Sequence, residues 1–188
     1  VPGVATMPIP FTSLGYGYGL KENLTLYGSW QTTSAIFGVI HTDFGATAHL
    51  WKNENMGLSL SPGFTFMIDA FEWKPSLYPQ LDINYYLSYG KKRDQNKSQE
   101  FYAGFDNWFD VRSRLAHDVP NPNRIIWNTH IGHSFVRNQW SYQLEAKILA
   151  PYLNNDVVVD YVSPFGNYGA LGVYFGVKRT LGKQKNEK

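Results

Sequence analysis

The residues best equipped for chemistry crowd into one stretch, Trp127 to Leu149, WNTHIGHSFVRNQWSYQLEAKIL. It holds His130, His133, Ser134 and Glu145. A serine, a histidine and an acid are the parts of a nucleophilic hydrolase. Their spacing argues against that use. On a strand, neighbouring side chains point to opposite sides, so His133 and Ser134 cannot pair within one. Two residues apart would share a face, but His133 is followed there by Phe135 and His130 by Gly132. A second set, His41, Asp43 and His49, shares one face of a strand. His41 and Asp43 then stand about 7 Å apart, a spacing open to metal ligation if other strands contribute. The favoured reading is a hydrogen-bond network, with no metal and no cofactor.

These side chains must be positioned by strands, because helical patterning is almost absent. Apolar residues recur at every second position. In QLDINYYLSYG, Leu81, Ile83, Tyr85, Leu87 and Tyr89 share one face; Gln80, Asp82, Asn84, Tyr86 and Ser88 share the other. Segments at 11–20, 24–32, 37–52, 56–69, 79–91, 99–111, 123–136, 139–150 and 168–181 read this way. Several reach the 9–11 residues that a tilted strand needs to cross a bilayer. Short connections at 21–23, 53–55, 91–98 and 137–138 alternate with longer ones at 33–37, 70–78, 112–122 and 151–167. Short turns at one end and longer loops at the other describe an outer-membrane barrel.

Composition narrows the classes. Aromatic residues make up 16% of the 188 residues and charged residues only 17%, which suits β-structure. There is no cysteine, which excludes disulfides and thiol chemistry. A net charge of +2 does not suggest a nucleic-acid partner. No apolar run is long enough for a transmembrane helix, and no Gly-rich phosphate loop opens a helix.

The polar faces carry His41, Asp43, His49, Asp82, Asp106, Asn128, His130, Ser134, Glu145 and Lys147. Glycines and residues of both charges interleave there, as in a narrow, self-paired lumen. The apolar faces carry Phe, Leu, Ile and Val, with Trp30, Tyr78, Tyr89, Trp127, Trp140 and Tyr142 near strand ends as an aromatic girdle. A soluble barrel enclosing an apolar cavity is the competing arrangement.

The stretch MPIPFTSLGYGYGLKENLTLYGSW, residues 7–30, resembles the opening of small bacterial outer-membrane barrels and barrel lipoproteins. The shared features are a Pro-rich lead, Tyr18-Gly19-Leu20, the polar turn Lys21-Glu22-Asn23, and Leu24-Thr25-Leu26-Tyr27-Gly28. The resemblance implies a fold and a Gram-negative outer-membrane location, not an activity.

The expected fold is therefore all-β: an antiparallel up-and-down transmembrane barrel of eight to ten strands over 1–182, with a charged tail at 183–188. Nine strands leave the first and last parallel, so either a strand is to be added or one of the nine segments is not a strand; of eight to ten, ten is slightly favoured. The tenth would come from upstream of Val1 or from VPGVATM; VVVDYV at 157–162 is another candidate extra strand. In the 127–149 hairpin, a turn at Arg137-Asn138 sets His130 opposite Glu145, Asn128 opposite Lys147 and Phe135 opposite Trp140. Arg112, Arg114 and His117, and the loop aromatics Phe71, Trp73, Tyr152, Tyr161, Phe165 and Tyr168, are candidates for lipid or protein contact. The expected function is non-enzymatic. It is a scaffold or accessory subunit of an outer-membrane complex, contacting lipid and a membrane protein partner. A narrow pore is the alternative, and a lipid-modifying enzyme the less favoured third.

Overall fold

The computed structural model describes residues 12–71, 73–89, 97–112, 120–154 and 168–181. Met7–Phe11, Arg114, His117, Val157–Val162, Phe165 and the tail at 183–188 lie outside them. Nine strands follow in chain order: β1 (Ser13–Lys21), β2 (Leu24–Gln31), β3 (Val39–Lys52), β4 (Met56–Asp69), β5 (Lys74–Tyr89), β6 (Lys97–Phe109), β7 (Ile125–Arg137), β8 (Trp140–Asn154) and β9 (Tyr168–Arg179). One short helix, α1 (Thr32–Ile36), joins β2 to β3. Each strand pairs antiparallel with the next, in the order β1 to β9, and the sheet curls into a half-barrel. Among the described residues β1 and β9 form no ladder with each other. No described helix is long and apolar enough to cross a membrane, which does not bear on strands.

The alternation read from the sequence sorts the two faces. On β4, Gly57, Ser59, Ser61, Gly63 and Thr65 are buried on the concave face, while Pro62 and Phe64 are exposed on the convex one. On β7, Asn128, His130, Gly132 and Ser134 are buried while Ile131 and Phe135 are exposed. Glycines let concave rings lie flat on the wall. A Cβ on Gly45 or Gly63 would come within 2.6 Å of the Tyr27 hydroxyl, so that ring occupies the space two side chains would need.

Two expectations are corrected. β5 begins at Lys74, so the connection from β4 is only 70–73, not a long loop over 70–78. Pro75 and Pro79 disguised this strand. The β6 ladder starts only at Gln80, so 74–79 is locally an edge where a missing N–H costs no ladder bond. The β7–β8 register also differs by two. Arg137 pairs with Trp140, which puts His130 opposite Lys147, Gly132 opposite Glu145 and Phe135 opposite Tyr142. The turn is Asn138-Gln139, and Asn138 takes the left-handed conformation (φ 55°) that asparagine tolerates better than most residues. A shift of two leaves every residue on its expected face.

Candidate functional site

Two polar clusters occupy the concave face. The first centres on Asp106 of β6, which lies directly between Asp82 of β5 and Asn128 of β7. Lys147 reaches over from β8 to ion-pair with Asp106 Oδ2, and its Nζ stands 3.7 Å from Glu145 Oε1. His130 Nδ1 is 3.1 Å from Asp106 Oδ1, at ion-pair distance but off the line for a hydrogen bond. Its Nε2 donates to Asn84 Oδ1 at 2.6 Å. Tyr102 donates from its hydroxyl to Glu145 Oε2 at 3.0 Å. The Asn128 side chain accepts the Ala150 N–H at 3.0 Å, tying the cluster to the far part of β8. A polar cavity of about 290 Å³ remains, lined by Asp82, Asn84, Tyr86, Tyr102, Asp106, His130, Gln143, Glu145 and Lys147. No side-chain hydrogen bond or ion pair to the Asp82 carboxyl forms among the described residues.

The second cluster centres on Asp43 of β3. Its Oδ2 accepts from Ser29 (2.9 Å) and Gln31 Nε2 (3.1 Å), and its Oδ1 accepts from Thr65. Gln80 in turn donates to the Thr65 hydroxyl. His41 Nε2 approaches to 3.4 Å. His49 stays apart, exposed at the short-turn end with its ring 6.4 Å from Tyr86. Among the described residues no group of three or more His, Asp or Glu could hold a metal ion.

Ser134 binds Ser141 Oγ at 3.0 Å on the concave face, and His133 lies on the convex face against Tyr89 and Phe135. The His-Ser-Glu string of the sequence is thus divided among three separate contacts. Of the expected girdle, Trp30, Tyr89, Trp127, Trp140 and Tyr142 stand exposed on the convex face. Trp127 stacks on Tyr152, with centroids 5.2 Å apart. Tyr78 is the exception. It pairs with buried Thr65, so it points to the concave face, where its hydroxyl accepts from Arg112 Nη2 at 2.7 Å.

Sequence reasoning missed Tyr27, Ser29 and Gln31 as members of the concave network. Their alternation with Leu26, Gly28 and Trp30 was the available signal. Asp110, just past β6, forms a two-pronged contact with Arg112, whose Nε and Nη2 donate at 2.9 and 2.8 Å. The Arg112 hydrogen bonds hold the Asp110 carboxyl below its ordinary range. No family model, no curated protein and no solved structure matches the chain.

Proposed function

We propose that this chain is a small outer-membrane β-barrel subunit with a non-enzymatic, scaffolding or accessory role. The observation that carries this is its inverted polarity. Of the described residues, those buried include Ser59, Ser61, Thr65, Asp106, Asn128, His130 and Ser134, and the one buried large hydrophobic is Tyr102. Meanwhile Phe105, Ile131, Phe135, Leu144 and Phe175 are between 49% and 71% exposed. In water such a convex face would be a large apolar patch with nothing to cover it. In a bilayer it meets its solvent.

The dimensions support the same reading. About ten positions separate Trp127 from Arg137 on β7. At about 3.3 Å per residue and the usual barrel tilt, that is a height of about 25 Å, the thickness of the apolar band of an outer-membrane barrel. The accessory role rests on the two edges. Lipid offers no donor or acceptor to an unpaired strand edge, so β1 and β9 call for further strands, from this polypeptide or another. Because β1 and β9 run in the same direction, fully antiparallel closure takes an odd number of added strands. The concave acids Asp43 and Asp106 are engaged by neighbouring side chains of the wall, Thr65 and Lys147 among them, and that pairing is the ground for favouring the scaffold over the pore.

Reconstitution into lipid vesicles and planar bilayers tests this. The expected result is carbonate-resistant insertion with strand-type circular dichroism and no unit conductance. Failure to insert overturns the membrane reading. A reproducible unit step overturns the scaffold in favour of the pore. A stoichiometric partner co-purified from native membranes is the expected companion result, and a stable lone barrel would count against the accessory role.

A further inference from the structure

At the short-turn end one register row crosses four strands. Lys97 of β6 pairs with Arg137 of β7, Arg137 with Trp140 of β8, and Trp140 with Arg179 of β9. Directly paired residues share a face, and all four are exposed on the convex one. Neither Arg137 nor Arg179 has an anionic side chain as partner among the described residues. The convex face of β6 to β9 carries no acidic residue at all among those described. The Arg179 guanidinium instead lies 5.4 Å from the Trp140 ring, which holds it at the wall rather than free in water.

Directly beneath the cations the wall becomes apolar. The next outward row holds Gln99, Phe135, Tyr142 and Val177, and the one after it Phe101, His133, Leu144 and Phe175. Val177 and Phe175 are 52% and 71% exposed. Positive charge at the rim, an aromatic at the boundary and the apolar side chains Phe135, Val177, Leu144 and Phe175 below form the complement of an anionic amphiphile.

We propose that Arg137 and Arg179, set around Trp140, bind the phosphate of an anionic phospholipid whose acyl chains lie along β7 to β9. This rests on the membrane reading above and adds a site and a headgroup class to it. Arginine donors match phosphate oxygens in pairs. The site also fixes which leaflet the short turns face, namely one that supplies anionic glycerophospholipid.

The test uses the full chain in neutral-detergent micelles, offered phosphatidylglycerol, phosphatidylcholine or lipid A, with retained lipid read by native mass spectrometry. Phosphatidylglycerol is expected to be kept over phosphatidylcholine by about tenfold, in line with cation-by-cation gains at anionic surfaces. R137Q/R179Q should lose that preference. R137K/R179K should keep most of it, and K21Q/K52Q, elsewhere on the same rim, should leave it unchanged. If R137Q/R179Q does not fold, R179Q alone, on the edge strand, should still weaken the preference. Equal retention of both lipids, or a preference indifferent to R179Q, overturns the site while an inserted protein leaves the membrane reading standing. Release of the lipid by millimolar inorganic phosphate would reduce the row to a plain anion site, and retention of lipid A in place of phosphatidylglycerol would assign the wrong headgroup; either overturns the proposal. A chain that fails to insert into lipid vesicles removes the membrane reading and the site together.

Discussion

Asp43 and Asp106 sit on the same concave face, yet they are held by different means. Asp43 is surrounded by neutral donors, Ser29, Gln31 and Thr65, with His41 nearby. Asp106 is held by the Lys147 ammonium and approached by His130, with two further acids, Asp82 and Glu145, around it. A carboxylate on neutral donors depends on several modest contacts, each replaceable. A carboxylate within an acidic group depends on its cation, because removing one partner of a buried pair leaves the other charge uncompensated. The Asp43 cluster is therefore the tolerant half of the interior, and the Asp106 cluster the brittle half.

Lys147→Met should break that contrast most severely. It leaves Asp82, Asp106 and Glu145 without the ammonium, at a cost of about 3 kcal/mol, the low end for a broken buried pair because Lys147 keeps some solvent contact. Urea unfolding followed by tryptophan emission measures it, and adding Asp106→Asn should restore part of the loss. Asp43→Ala should cost less, about 1–2 kcal/mol for donors left unpaired. If Asp43→Ala costs more than Lys147→Met, the division into tolerant and brittle halves is wrong.

The smallest effect lies outside the strands. Arg112 holds Asp110 ionised, so Asp110 adds stability above the ordinary carboxyl range and loses it as pH falls through the lowered folded value. The stability difference between wild type and Asp110→Asn should be constant above about pH 5 and shrink below about pH 4. A difference that grows on acidification would reverse the sign of this contact.

Much of the fold could be read from period two alone. The nine strands and their polar and apolar sides follow from alternation such as Leu81-Asp82-Ile83-Asn84, which no helix would produce. Register was less accessible, because sliding β8 by two residues changes every partner and no face; only the backbone at Asn138 decides it. Prolines 75 and 79 hid the start of β5, and with it the true direction of Tyr78. The clusters were legible as membership, not as contacts. His130 meets Asn84, and Tyr102 meets Glu145, across strands that are not adjacent. Such meetings depend on how sharply the sheet curls, which alternation does not encode. The row at Lys97, Arg137 and Arg179 needed the corrected register before its three cations lined up.

The odd number of strands has one more consequence. β1 starts at the long-loop end, where Thr12 bonds to Thr32 and Thr33, and β9 finishes at the short-turn end, where the Thr180 N–H bonds to Gln139. In a bilayer the polypeptide from Thr12 to Thr180 would be a one-way passage. Thr12 would face one aqueous compartment and Thr180 the other.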